Sequence, residues 1–148
     1  MNILRIVVAV MFGMFVAGCG KPPMMSVTGS VKLDGKEVPE CKVGFFPDAQ
    51  EFNPDRHGFG SAITDAQGRF EIQHPQGEKG IWAGKYKVTF EAFVTKNGKP
   101  LPANSKPSEV EGGVKNLFPD LYREPSLTKE KAVVTSGKNV FDFNIITK

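Results

Sequence analysis

The sequence is poor in the residues that most often carry chemistry. It has 2 Cys, 2 His and 1 Trp among 148 residues. Two cysteines are too few for the multi-bridge framework of small disulfide-stapled domains. His57 and His74 each lack a second His or Cys at ligand spacing, which argues against a zinc site. No Gly-rich phosphate loop, H-E-x-x-H or G-x-S-x-G motif occurs. Charge of one sign is scarce too: 19 Lys+Arg against 16 Asp+Glu leave a net +3. That balance, with no basic stripe interleaved with aromatics, speaks against a nucleic-acid partner. The long apolar run of a membrane span is also missing. The first apolar run, residues 6–18, has 13 residues, well short of the ~20 that cross a bilayer. No helical stripe of useful length is present either.

What the chain has is turns and alternation. Its 12 Phe supply a core, and its 16 Gly and 11 Pro supply turns. From Ser26 onward the hydrophobic period is two. In "KYKVTFEAF", residues 85–93, Tyr86, Val88, Phe90 and Ala92 share one face. Lys85, Lys87, Thr89 and Glu91 share the other, as in a half-buried strand. The same pattern predicts strands over residues 27–33, 41–46, 59–64, 69–73, 131–135 and 139–146. Asp34-Gly35 and "TDAQGRF", residues 64–70, are hairpin-turn signals, and "TSGKN", residues 135–139, is another. Seven short strands with regular turns predict an all-β, seven-stranded antiparallel β-sandwich, Ig-like in general form. Two loops interrupt it. Residues 47–58 hold Asp48, Glu51, Asp55 and His57, read as a solvated loop with a weak cation site as the alternative. Residues 94–130 form a long Pro-rich loop, with Leu117, Phe118, Leu121 and Tyr122 expected to dock its second half and residues 96–113 expected to be mobile.

The first 25 residues are organised differently. Arg5 precedes the short apolar run, and small residues close it, as in a cleavable signal peptide. Val16-Ala17-Gly18-Cys19 resembles the lipobox of bacterial lipoproteins. The resemblance implies that residues 1–18 are removed by a lipoprotein signal peptidase that recognises Val16, Ala17 and Gly18. It also implies that the Cys19 thiol carries a diacylglycerol, that the new amino group is usually acylated, and that no other cofactor is needed. Only a thiol can form that thioether, and small side chains admit the peptidase. Each buried CH2 contributes ~0.8 kcal/mol, so two or three acyl chains anchor the protein durably. Residues 19–25, "CGKPPMM", are then the lipidated Cys and a Pro-stiffened tether, and the domain occupies residues 26–148. Gly20 after Cys19 lacks the Asp associated with inner-membrane retention, which implies an outer-membrane or periplasm-facing position in the cell envelope. With Cys19 acylated, Cys41 has no disulfide partner. Its alternation with Val43 and Phe45 predicts a buried core thiol.

Three stretches of the domain carry a second resemblance: "VTGSVKLDGKEVPECKVGFFP", "SAITDAQGRFEI" and "GIWAGKYKVTF". Together they resemble the carboxypeptidase-regulatory-like or transthyretin-like β-sandwich. The closing "LFPDLYREPSLTKEKAVVTSGKNVFDFNI" resembles small lipoproteins of planctomycetes. Glu40 departs from the family, which often has Gly-Ala before the next strand. These resemblances imply a fold rather than a task. The reading they support is a non-enzymatic, membrane-anchored binding or structural module whose partners are envelope proteins or glycans. A glycan binder stacking sugars on Trp82 and Tyr86 is the second reading, although a single Trp beside Gly reads first as a cap packed on the end of the sandwich. A hydrolase using His57 or His74 is the third. For the transthyretin-like hydroxyisourate hydrolases, Tyr122-Arg123 is followed here by Glu124-Pro125 instead of Gly-Ser and lies far from the C-terminus.

Overall fold

The computed structural model describes residues 20–49 and 58–147. Within them the fold is all-β. The strands are β1 (Val27–Leu33), β2 (Lys36–Glu37), β3 (Lys42–Pro47), β4 (Gly60–Ile63), β5 (Arg69–Glu71), β6 (Gly84–Glu91), β7 (Phe93–Thr95), β8 (Val114–Asn116), β9 (Lys131–Val134) and β10 (Asn139–Ile145). One helical turn, α1 (Asp120–Arg123), precedes β9. Ten strands thus stand where the alternation predicts seven. The additions, β2, β7 and β8, are two or three residues long, too short to show a period.

The strands form two four-stranded sheets and a separate ribbon. In the first sheet β1 is central. It pairs along its whole length with β10, from Val27 opposite Asn139 to Leu33 opposite Ile145. Its other edge is shared by β5, opposite Thr28–Ser30, and β2, opposite Lys32–Leu33. The second sheet runs β4-β3-β6-β9 and is antiparallel throughout. The β1–β10 pair is parallel, which corrects the expectation of a wholly antiparallel structure. Alternation reports which face of a strand is buried and is blind to the direction of its neighbour.

Both sheets turn their apolar faces to one core. Val27, Val31, Phe143 and Ile145 come from the first; Val43, Phe45, Tyr86, Val88 and Phe90 come from the second. Phe45 sits at the centre, with its ring centroid 6.0–6.5 Å from those of Phe70, Tyr86, Phe141 and Phe143. Phe90 meets Phe143 edge-on at 5.1 Å, closing the sheets on each other. Each buried Phe contributes about 1.5–3 kcal/mol of transfer free energy. Gly29 lies where β1, β5 and β10 converge. A Cβ there would run into the Phe141 carbonyl and lie 2.8 Å from the Phe70 ring.

The turns follow their chemistry. Asp34 (φ 50°) and Gly35 (φ 82°) both take positive φ, as the tight turn between β1 and β2 requires. Asp65 Oδ1 accepts the N–H groups of Gln67 and Arg69. Gly68 (φ +71°) lets that turn press against β1, where its carbonyl accepts the Val31 N–H at 2.8 Å.

Residues 96–113, the part of the long loop expected to be mobile, carry local hydrogen bonds. The β7–β8 pairing encloses them. Gly98 N–H donates to Thr95 O, and Leu101 N–H to Phe93 O. A 3-10 turn spans Pro107–Glu109, and Ala103 N–H donates to Glu40 Oε2 at 2.9 Å. Phe118 docks as expected, buried and stacked on Phe90 at 5.6 Å. Leu117 and Tyr122 pack partly against the core. Leu121 does not dock and remains exposed, because it lies on the outer side of α1.

Strand direction gives the domain two poles. The starts of β1, β6 and β10 meet the end of β9 at the first. There the buried Asn139 amide donates to Thr135 O, Gly137 O and Ser26 O. Leu33, Ile145, Thr64 and Glu91 mark the second, and the β7–β8 ribbon continues beyond it. Along β6 the poles are about 24 Å apart at ~3.4 Å per residue.

Candidate functional site

Val16, Ala17, Gly18 and Cys19 lie outside the described residues, as do Glu51, Asp55 and His57. The chain that follows Cys19 is described, and it does not hang free. The Pro22 carbonyl accepts the indole N–H of Trp82 at 2.9 Å. Met25 N–H donates to Ile81 O at 2.7 Å, and Ile81 N–H donates back to Met25 O at 3.0 Å. The tether expected over residues 19–25 is therefore fastened to the first pole from Pro22 onward. Two physical causes act together. Met25 extends the inward alternation of β1 backward by one step. Trp82, once buried, needs an acceptor for its only donor.

Gly80 makes the approach possible. It holds φ +92°, and a Cβ there would run into the Met25 carbonyl and lie 3.2 Å from Ser26 N. The turn before it is held by His74 N–H donating to Glu78 O, Gly77 N–H donating to His74 O, and Gly80 N–H donating to Ile72 O, each 2.8 Å. Lys21, Pro22, Met24, Gln76, Lys79 and Trp82 line a shallow cavity of about 390 Å³ beside this junction.

Neither expected stacking residue offers a face to a sugar. Trp82 is 4% exposed, with one side of its ring against His74 at 5.6 Å. Tyr86 is 2% exposed, and its hydroxyl donates to Trp82 O at 2.7 Å. Burial pushes that phenol up to about 12. Tyr86 belongs to the core, and Trp82 is buried beside it at the first pole, against His74 and the Pro22 carbonyl. His74 is half-buried, and its Nδ1 accepts the Gln76 N–H at 3.3 Å. Its ring is engaged as part of the turn.

Cys41 is wholly buried just before β3. Its N–H donates to Thr64 Oγ1 at 2.9 Å, and the Thr64 hydroxyl donates onward to Val38 O at 2.6 Å. Burial pushes the thiol up to about 12. A thiol without solvent access or thiolate character is a packing group. Among the described residues no three His, Cys, Asp or Glu gather to hold a metal ion.

A second concavity, of about 310 Å³, lies on the outer face of β3, β4 and β6. Phe46 and Phe59 meet edge-on at 5.7 Å on one side of it, and Lys42, Glu91 and Arg123 stand on the other. Gly44 forms the floor. A Cβ there would lie 2.7 Å from the Phe46 ring and 2.8 Å from the Thr89 hydroxyl. Arg123 is held by Asp120 at 2.7 Å and approached by Glu91 at 3.8 Å. These groups form a mixed polar and aromatic surface without a nucleophile–base pair.

The chain matches no model of a known protein family and no curated protein. Among the described residues no helix is long and apolar enough to cross a membrane.

The fastened segment was the part that sequence reasoning missed. Its signals were Met25, two residues before Val27, and a Gly directly before Ile81-Trp82. Neither identifies its partner, because the contact joins segments more than 50 residues apart.

Proposed function

We propose that the protein is a lipid-anchored module of a bacterial cell envelope that binds or supports other envelope components without catalysis. Cys19 carries the diacylglycerol, and Val16, Ala17 and Gly18 form the recognition site for the peptidase that removes residues 1–18. The folded part is a β-sandwich of the transthyretin-like or carboxypeptidase-regulatory-like kind. The observation that carries this reading is the lipobox-like Val16-Ala17-Gly18-Cys19, placed immediately before the point where the fold begins at Pro22. The two groups best suited to covalent or acid–base chemistry among the described residues support the non-catalytic part. Cys41 is sealed in the core, and the His74 ring is built into a turn.

Mass spectrometry of the N-terminal peptide tests the anchor. The expected species begins at Cys19 and carries a diacylglycerol on sulfur. A mature chain that begins elsewhere, or carries an unmodified Cys19, contradicts it.

A further inference from the structure

On the reading that Cys19 is acylated, we infer that the fastened Pro22–Met25 segment sets one orientation of the domain on the bilayer. The turn at residues 74–82 faces the lipid headgroups, and the β7–β8 ribbon faces away.

Three observations carry this. The first is length. Only Gly20 and Lys21 separate Cys19 from Pro22, so three Cα steps join the lipidated residue to the domain. At ~3.6 Å per residue they span at most about 11 Å. That is less than half the ~24 Å between the poles. The second is attachment. Pro22 is held through Trp82 and Met25 through two backbone hydrogen bonds to Ile81. The strand that follows, β1, is central in its sheet, so the anchor pulls on the core and not on a loop. Gly80 is shaped for this contact, since any Cβ there would collide with Met25. The third is topology. The segment sits at the first pole, and Glu91 and the ribbon extend from the second.

The surface turned to the bilayer is exposed at Lys21, Gln76, Gly77, Glu78 and Lys79. Lys79 pairs with Glu71 at 3.1 Å. Lys21, Lys79 and the exposed Lys138 of the β9–β10 turn stand against Glu71 and Glu78, a near balance, so the contact is set by geometry more than by attraction to anionic lipid. The partner is a lipid surface of either charge.

The test uses the full acylated chain in phosphatidylcholine vesicles containing a nitroxide-headgroup lipid. Cys41 is buried, so one introduced thiol takes a fluorophore cleanly. Gln76→Cys places the label at the first pole and Asn97→Cys beyond the second. The expected result is severalfold stronger quenching at position 76 than at 97, unchanged when anionic lipid replaces part of the phosphatidylcholine. Gly80→Ala, or the milder Trp82→Phe, narrows the difference by loosening the segment. Equal quenching at the two positions, with the lipid on Cys19 confirmed by mass, overturns the orientation and leaves the anchor standing. A Cys19 without lipid overturns both.

Discussion

At the scale of single residues, the second pole depends on one hydroxyl. Thr64 Oγ1 satisfies both the Cys41 N–H and the Val38 carbonyl in a buried position. Thr64→Val keeps the shape and strands both backbone groups, each at about 1–3 kcal/mol. A loss of at least about 2 kcal/mol in urea-unfolding free energy is expected, with Thr64→Ser losing much less. Cys41 and Tyr86 make the fold sensitive to alkali. Each pKa is raised to about 12, from 9.0 and 10.0. Below those ordinary values both states keep their protons, and the stabilisation is complete. Between pH 9.0 and about 12 the unfolded chain releases protons that the folded chain retains. Stability therefore falls as pH rises, by at most about 1.4 kcal/mol per pH unit for each group. Unfolding midpoints measured from pH 8 to 11 should decline, and Cys41→Ala should flatten the early part of the decline. Cys41 was legible as a core residue because Val43 and Phe45 share its phase. Thr64 was not, because a Thr at a strand end reads equally as solvated.

At the scale of elements, seven of the ten strands were legible and their partners were not. β1 has the bounds the alternation predicts, Val27–Leu33. Its parallel match with β10 joins segments 112 residues apart, as in the Ser30–Asp142 hydrogen bond at 2.7 Å. No local pattern encodes such a pairing. Gly29 is where that pairing becomes testable. Gly29→Ala inserts a methyl between β1, the Phe141 carbonyl and the Phe70 ring. Overpacking of this kind costs about 1–3 kcal/mol, and rigid backbone on one side sets the upper end. Gly35→Ala is the contrast, since its Cβ would meet nothing within 4 Å and only the φ of +82° opposes it. Thermal unfolding of the two variants should show the larger loss at Gly29. A larger loss at Gly35 would mean that β1 and β10 do not lie this close. The β7–β8 ribbon around the long loop was missed for a related reason. Its Pro and Gly steps read as flexibility, and the ribbon that spans it rests on two three-residue strands, too short to show a period.

At the scale of the whole molecule, the account places lipid at one end and a ribbon at the other. The proposed acylation of Cys19 rests on sequence alone, because a lipobox-like motif is a short linear pattern. The attachment of residues 22–25 was not, because Trp82 and Ile81 come near them only in the fold. Trp82 reads from the sequence first as a cap packed on the end of the sandwich, and its enclosed ring agrees, but the Pro22 carbonyl that its N–H holds is visible only in the fold. The most direct test of the anchor is membrane fractionation of cells expressing the full chain and its Cys19→Ala variant, with and without globomycin. The account predicts that the wild-type chain sediments with membranes in a mature form. It predicts that globomycin accumulates the longer precursor, and that Cys19→Ala does not yield the membrane-bound mature form. A Cys19→Ala chain that matures normally and stays in the membrane fraction would contradict it.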